Sequence, residues 1–357
     1  HGPSDSRGGA GSVAYADRLA SFEAQLARIS THNQREPAPR WTAAVNALTD
    51  LTASEQRALF GYRRQLEAAG GDVTGAPTSF LQHDSESSAR TALDLERGAE
   101  EATVDWRRGL TSAAAIPTQG DCGSCWALAA VGALEMHLEI ATNDTVRLAP
   151  EELLHCVPNP RRCGGDGGCD GATSKLAFQY VLAHGLGESA PSIACEAIEA
   201  RKGRSVAIGG VVQLPRNQAR PLLEALAAHG PVAAAIEATE LSMYGQGIYD
   251  SCLPDAVVNH AVLAVGYGSE QGDRYWLLRN SWGRSWGEEG HFRLLRHGAV
   301  EEYCGMDMSP QEGVGCVGGV AQVRVCGMCG VLYDLYYPKD VRLVKRRGSV
   351  LFSHGQG

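Results

Sequence analysis

A cysteine at the start of a predicted helix is the residue in this chain best suited to nucleophilic chemistry. Cys125 lies in residues 119–127, which read Gln-Gly-Asp-Cys-Gly-Ser-Cys-Trp-Ala. The next residues, 128–140, are rich in Ala, Leu and Glu and contain no Pro, which predicts a helix. Unpaired N–H groups and the dipole at a helix N-terminus favour a thiolate over a thiol. Since the thiolate is the nucleophilic form, we expect Cys125 to be a catalytic nucleophile.

Two polar residues far downstream could complete such a site. His260 opens an apolar run, residues 261–265, that predicts a buried strand. An imidazole there could take a proton from the thiol and return it to a leaving group. Asn280 precedes Ser-Trp-Gly, and its side chain could orient the imidazole. The alternatives are an ordinary turn residue for Asn280, and a disulfide or an inert buried thiol for Cys125.

Taken together, these segments resemble a known protease family. Cys-Gly-Ser-Cys-Trp at 122–126, Asn-His-Ala-Val-Leu-Ala-Val-Gly-Tyr-Gly at 259–268 and Asn-Ser-Trp-Gly at 280–283 are typical of papain-like cysteine proteases, and most closely of cathepsin L-like zymogens. The resemblance covers roughly residues 14–340. It implies an α+β, papain-like two-lobe fold, with a helical left lobe facing a β-barrel right lobe, a helical pro-domain before them and the site between the lobes.

The resemblance assigns a role to each residue of the catalytic centre. Cys125 attacks the peptide carbonyl to form a thioester, and His260 acts as base and then as acid. Asn280 orients the imidazole, and Trp282 covers that hydrogen bond against water. The side chain of Gln119 and the backbone N–H of Cys125 form the oxyanion hole. No metal or organic cofactor is implied, although a reductant must keep the thiol reduced.

Substrate-binding positions also follow from the resemblance. They are Gly171 and Ala172 in the helical lobe, and Asn259, Ala261 and Trp282 in the β lobe. Members of the family usually have two glycines where this chain has Gly171-Ala172, so Ala172 could alter the approach of the substrate backbone.

Two segments compete for the terminal Cys-Gly position of the family, and the choice decides a specificity residue. Cys304-Gly305 and Cys329-Gly330 both match, and the second leads correctly into Tyr-Tyr-Pro. We therefore interpret residues 309–328 as an insertion. Asp334 would then lie at the base of the subsite for the second residue before the scissile bond, where an acid favours Arg or Lys. If Ser309 takes this position instead, apolar residues are preferred.

The chain has eleven cysteines, an odd number that fits disulfides plus one reactive thiol. The resemblance implies the pairs Cys122–Cys169, Cys156–Cys195 and Cys252–Cys304. The pairing of the remaining cysteines stays open, with disulfides favoured over a zinc site despite the Cys-Gly-Met-Cys spacing; these residues are Cys163, Cys316, Cys326 and Cys329.

The region before the predicted catalytic domain has the pattern of an inhibitory pro-region. A helix is predicted from Tyr15, and Arg18, Phe22, Ile29 and Asn33 match the spacing of the pro-region helix in cathepsin L-like zymogens. The chain's own pro-region is thus expected to be an intramolecular inhibitor. The alternative is a helical hairpin with no inhibitory role.

A second pro-region motif and a linker follow. Residues 46–52 resemble that motif, and a helix over 53–62 is predicted, capped by Thr52 with Glu55 three residues later. Residues 65–100 lose periodicity and predict a linker that is cleaved during maturation.

These observations divide the chain into predicted regions. They are a disordered N-terminus (1–13), a pro-region (14–100), a peptidase domain (101–340, with the helical lobe over about 101–205 and the β lobe over about 206–340) and a C-terminal tail (341–357) whose basic run is solvated. Further helices are predicted over 149–156 and 174–184, and strands over 206–208, 232–236, 261–267, 275–279 and 291–295.

Composition excludes several function classes. A formal charge of −9 over 357 residues provides no basic footprint for nucleic acid, and no apolar run has the length of a membrane span. The expected partners are polypeptide substrates, acted on by a monomer. The cysteines and the Asn-Asp-Thr sequon at Asn143 favour a secretory route, to a lysosome or vacuole or to the extracellular space.

Two rival functions remain beside a cysteine endopeptidase. A catalytically silent relative could serve as a binding or inhibitory module with a blocked cleft. An exopeptidase would need a loop that obstructs one end of the cleft, and the residues around Cys163 are the candidate, although they are few.

Overall fold

The structure is a computed structural model that describes residues 15–61, 103–188, 195, 203–298 and 303–346. The predicted disordered N-terminus (1–13) and linker (65–100) lie outside the described residues. The helices are α1 (Tyr15–Asn33), α2 (Ala53–Leu59), α3 (Cys125–Thr142), α4 (Pro150–Cys156), α5 (Ser174–His184) and α6 (Ala219–Ala228). The strands are β1 (Trp41–Ala43), β2 (Val104–Asp105), β3 (Leu186–Gly187), β4 (Gly203–Ala207), β5 (Gly210–Gln213), β6 (Val232–Ile236), β7 (Tyr244–Tyr249), β8 (His260–Glu270), β9 (Asp273–Arg279), β10 (His291–Leu295), β11 (Cys304–Asp307), β12 (Val323–Cys326), β13 (Leu335–Lys339) and β14 (Arg342–Arg346).

Helix α3 runs between the two halves of the catalytic region. Its Ala- and Leu-rich sequence leaves few polar side chains, so most of the helix is buried. Small size matters at Gly132, where a Cβ atom would lie 1.6 Å from the guanidinium of Arg279 on β9. The helix ends where Asn143 adopts a left-handed conformation with φ of 60°. None of the described helices is long and apolar enough to cross a membrane.

The β lobe is built on one large sheet. Within the described residues its strand order is β1-β7-β10-β9-β8-β6-β13-β5, and β2 pairs with β8. Strand β8 begins at His260, and its first nine residues are buried, as their continuous apolar sequence predicts. The start of β8 faces α3 across the cleft, because the N–H of Ala261 donates to Sγ of Cys125.

The N-terminal region packs against the β lobe. Strand β1 adds to the sheet by antiparallel pairing with β7, which places Trp41 opposite Gly247. The buried apolar residues of this region share one core cluster with the β lobe; they are Ile29, Trp41, Ala43, Leu51, Leu59 and Phe60. The contact is therefore an extension of the β-lobe core.

The basic run near the C-terminus includes a strand that the sequence did not predict. Residues 342–346 form β14, which pairs antiparallel with β4, and β4 in turn pairs with β3. The alternation in Arg-Leu-Val-Lys-Arg places Val344 opposite Ser205 within this small sheet. The basic residues led to the prediction of a tail, although the apolar residues between them favour a strand.

The cysteines are paired differently from one prediction. The structure contains Cys122–Cys169 and Cys156–Cys195, but Cys252 pairs with Cys329, so the predicted Cys252–Cys304 pair is wrong. The reason is the register of the β11–β12 hairpin, which puts Cys304 directly opposite Cys326, to which it is bonded.

The remaining two cysteines, Cys163 and Cys316, also form a disulfide. The zinc alternative therefore does not hold for Cys163, Cys316, Cys326 and Cys329. Among the described residues, no group of three His, Cys, Asp or Glu side chains is placed to hold a metal.

Candidate active site

Cys125 is the first residue of α3 and is the free cysteine of the described residues. Its side chain is completely buried, with Sγ accepting a hydrogen bond of 3.2 Å from the N–H of Ala261. Burial raises the pKa of the Cys125 thiol to about 11, against backbone hydrogen bonds from Ala261, Gly61 and Trp126 that lower it. The thiol is therefore protonated at neutral pH in this form of the chain, although its helix position favours the thiolate.

His260 is brought to the same cleft by β8. Its Nε2 lies 2.8 Å from Oδ1 of Asn280, and its ring stacks on Trp282 with a centroid separation of 4.9 Å. Trp282 is 4% exposed, and its ring lies over the imidazole that is bonded to Asn280. Burial lowers the pKa of His260 to about 4, although the hydrogen bond to Asn280 opposes the shift. The ring is therefore neutral at neutral pH.

Gln119 is aligned by a residue that the sequence reasoning missed. The hydroxyl of Ser281 donates to Oε1 of Gln119 at 2.6 Å, and the N–H of Gln119 donates to the carbonyl of Ser281 at 2.9 Å. The amide Nε2 is left to act as a donor. It points to the carbonyl of Leu59 at 2.7 Å and to that of Cys122 at 2.9 Å. A side-chain N–H donor is thus available in the cleft, as the stabilisation of an oxyanion would require. Ser281 could have been found from the sequence, because it directly follows Asn280 in the Asn-Ser-Trp-Gly motif.

The cleft is occupied by residues 59–61 of the N-terminal region. Helix α2 stops at Leu59, earlier than the predicted residue 62, because Phe60 and Gly61 continue as extended chain into the cleft. Phe60 meets the ring of His260 edge-on at 6.4 Å between centroids. A Cβ atom at Gly61 would lie 2.2 Å from Sγ of Cys125, so only glycine fits there. The backbone of residues 59–61 fills the space that a substrate needs.

The expected substrate-binding residues divide into two groups. Gly171 borders the cleft, since a Cβ atom there would lie 2.0 Å from the carbonyl oxygen of Gly61. Ala172 is 1% exposed and belongs to the core. The side chain of Asn259 bonds within its own lobe, accepting from the N–H of Ala238 at 3.0 Å and donating to Thr239 at 3.2 Å. The polar atoms of the Asn259 side chain are therefore already hydrogen-bonded within the β lobe.

Asp334 lies in a cavity of about 430 Å³ that Thr173, Lys175 and Arg216 also line. It is 6% exposed. Burial raises the pKa of Asp334 to about 6, although Arg216 and Lys175 oppose the shift. These two cations come from distant parts of the chain and carried no signal in the sequence. They offset the negative charge that was expected to select Arg or Lys.

Charged side chains on the N-terminal region hold it to the β lobe. Arg40 donates to Asp250 at 2.9 Å and to Asp273 at 3.0 Å. Arg28 is paired with Glu240. Both arginines are exposed enough to be screened by water, so they contribute less than the apolar contact.

The site thus brings a buried cysteine at a helix N-terminus, an imidazole hydrogen-bonded to an amide side chain and a further amide donor into one cleft. A family model described as papain family cysteine protease matches residues 101–314. The chain belongs to this family, with a papain-like α+β fold and a helical region before the catalytic domain.

Relatives extend the match over the pro-region. The chain is 34% identical to a probable cysteine protease of Arabidopsis thaliana (RDL3), over 78% of this chain and 71% of that protein. It is 32% identical to a cathepsin L-like proteinase of Phaedon cochleariae, over 81% of this chain and 84% of that protein. The solved structure of digestive procathepsin L 3 from Tenebrio molitor larval midgut superposes with a TM-score of 0.64 and 26% identity, over 92% of this chain and 94% of that one.

Proposed function

We propose that this chain is the proenzyme of a cysteine peptidase that hydrolyses peptide bonds by a Cys-His-Asn mechanism. The observation that carries the proposal is the convergence of Cys125, His260, Asn280 and Gln119 on one point of the cleft. A catalytically silent relative would have no need for an oxyanion donor aligned by Ser281 beside a free thiol.

The reaction follows from these positions. His260 takes the proton of the Cys125 thiol, and Sγ attacks the carbonyl carbon of the peptide while the oxyanion is held by Nε2 of Gln119 and by the N–H of Cys125. The C–N bond breaks as the imidazolium of His260 gives its proton to the leaving amine, and a thioester remains. Water then attacks the thioester carbon and gives a proton to His260. The acid product leaves, and the thiol is restored.

Residues 59–61 support latency in electrostatic terms as well as by blocking access. While they cover the site, the pKa values of Cys125 and His260 favour a neutral thiol and a neutral imidazole. A thiolate–imidazolium pair needs the solvation that this cover removes. Departure of residues 59–61 admits water, and the N-terminus of α3 then favours the thiolate.

Acid activation is supported by the contact between α1 and α2. Arg18 donates to Glu55 at 2.7 Å, and Glu55 closes the capping box with Thr52. Although burial raises it, hydrogen bonds from Thr52 and the charge of Arg18 lower the pKa of Glu55 overall. A carboxylate with a lowered pKa stabilises the fold above its usual pKa, and that stability is lost as pH falls through the lowered value. The pro-region therefore loosens in acid, as suits a lysosome-like compartment or a secreted enzyme that meets acid.

Peptide hydrolysis by the processed enzyme tests the proposal. Cys125→Ala removes all turnover, and a burst of acyl-enzyme is seen by mass in the wild type only. Ser124→Ala is the matched control, because within the described residues its hydroxyl donates one long hydrogen bond, to the carbonyl of Cys122 at 3.5 Å. Retained turnover in Cys125→Ala would show that another residue is the nucleophile.

An endopeptidase is the function that the motifs favour. An exopeptidase is a second candidate. It is favoured by residues 308–322, which are attached to both lobes.

A further inference from the structure

The segment between β11 and β12 is attached to both lobes. Residues 308–322, here named the strap, form the end of the hairpin whose strands are joined by the disulfide Cys304–Cys326. A second disulfide joins Cys316 in the strap to Cys163 in the helical lobe. The strap therefore starts in the β lobe and is covalently tied to the opposite lobe.

Backbone hydrogen bonds hold the strap to the helical lobe beside that disulfide. The N–H of Gly164 donates to the carbonyl of Gly315 at 2.9 Å, and the N–H of Val317 donates to the carbonyl of Arg161 at 3.0 Å. Bonds of this kind on both sides of Cys316 fix the direction of the strap as well as its position.

The strap also contacts the β lobe next to the catalytic histidine. The N–H of Val314 donates to the carbonyl of Val258 at 2.9 Å, two residues before His260. A Cβ atom at Gly313 would lie 2.1 Å from the same carbonyl oxygen, so the approach requires glycine. Val314 packs against the core cluster that contains Val258. The strap therefore closes the space between the lobes at this end of the cleft.

The position of His260 tells the two ends of the cleft apart. The leaving amine takes its proton from His260, whose ring stacks on Trp282, and Trp282 in turn forms a bridge with Thr118. The amine side of the scissile bond therefore lies toward Trp282. The acyl side, which carries the amino-terminal part of a substrate, leads away from it toward the strap.

The room on the acyl side is short. Gly61 lies at Sγ of Cys125, and a Cβ atom at Gly171 would be 2.0 Å from the oxygen of Gly61 and 2.4 Å from that of Gly164. Gly164 is the residue whose N–H is bonded to the strap. Gly61 is thus connected to the strap through Gly171 and Gly164, which leaves room for about two residues of extended chain, about 7 Å, between Cys125 and the strap.

We propose that the strap closes the acyl side of the cleft, so that the processed enzyme removes units of one or two residues from the amino terminus of peptides. The inference rests on the proposed peptidase function. The residues around Cys163 are too few to obstruct the cleft by themselves, and the strap supplies the missing length. The cavity that contains Asp334, with Pro310 and Val314 of the strap in its wall, receives the side chain of the second residue.

The test compares two peptide substrates that differ only in what precedes the scissile bond. One has two residues with a free amino terminus, and the other has the same two residues preceded by two more with an acetylated terminus. The processed wild type cleaves the short substrate at least roughly 100-fold faster, because the long one must break the strap's three backbone hydrogen bonds and is still opposed by the disulfide Cys163–Cys316. The assays contain a low concentration of free cysteine to keep Cys125 reduced.

A shortened variant makes the result specific to the strap. Residues 310–321 are replaced by Asn-Gly, which suits a hairpin turn, and Cys163→Ser removes the thiol left behind. This variant cleaves the long substrate at a rate close to that of the short one. Met308→Ser, at a 63% exposed position of the intact strap, behaves as the wild type. Rapid cleavage of the long substrate by the wild type would overturn the inference and leave the peptidase function standing. No cleavage of either substrate by any variant would overturn both.

Discussion

The contact between the N-terminal region and the β lobe is centred on Trp41. This side chain is 2% exposed, and its ring lies 4.9 Å from that of Tyr249 and 6.1 Å from that of Tyr244 between centroids. Its Nε1–H donates to the hydroxyl of Ser251 at 2.9 Å. Replacement by alanine removes the apolar contact and this hydrogen bond while leaving the backbone pairing of β1 with β7 possible.

The size of the effect follows from the burial. Truncation of a buried Trp costs about 3–5 kcal/mol. Taking about 3 kcal/mol, Trp41→Ala increases the fraction of chains with an uncovered cleft roughly 100-fold, since each 1.4 kcal/mol is about a factor of ten. Trp41→Phe keeps most of the packing and loses the hydrogen bond, so its effect is roughly tenfold.

Alkylation of the unprocessed chain by iodoacetamide at neutral pH measures that fraction. Cys125 is completely buried and the other cysteines are in disulfides, so the label reports the uncovered cleft. All the proteins compared carry His260→Ala to prevent self-processing. Equal alkylation rates for the chain that keeps Trp41 and for its Trp41→Phe and Trp41→Ala variants would refute the reasoning that this contact holds the cover in place.

Other predictions concern the catalytic centre and the acid response. Gln119→Ala lowers kcat by about 10²–10³ with little change in KM, because the oxyanion donor acts in the transition state; an equal rise in KM would contradict this. Asn280→Ala lowers kcat and changes the pH–rate profile, since the imidazole loses its orienting acceptor, while unchanged profiles would argue against that role. Asp334→Asn lowers kcat/KM for substrates with a basic second residue by less than roughly tenfold, because cations already offset the carboxylate, and a larger selective loss would show an unopposed charge. Glu55→Gln shifts self-processing to higher pH, as the pairing with Arg18 is then absent at every pH; an unchanged pH midpoint would remove Glu55 from the account.

The sequence predicted the parts of the site that are short-range. The helix after Cys125 and the strand after His260 follow from local composition and apolar runs, and the structure has both. The segment carrying Asn280 was recognised from its motif. Such a motif can be recognised in a sequence because a few neighbouring residues supply both the backbone and the side-chain groups for one part of the site.

Long-range contacts were beyond the sequence. The pairing of Cys304 depends on the register of a hairpin that separates it from Cys326 by a loop, and the alignment with the family gave the wrong partner. The strap shows its role only when Cys316 is seen beside Cys163 in the other lobe. Likewise, Arg216 meets Asp334 through the fold alone. None of these contacts produces a periodic pattern in the amino-acid sequence.

The central claim is that Cys125 is the nucleophile of a peptidase held latent by its own pro-region. The most direct measurement is the intact mass of the purified chain after incubation in mild acid with a thiol reductant, beside Cys125→Ala. The wild type is expected to lose its N-terminal region up to about residues 96–103 by successive removal of short units from the amino terminus, with the variant unchanged, and peptide hydrolysis should rise in step with that loss. An unchanged mass in both proteins, together with no hydrolysis of peptides, would contradict the account.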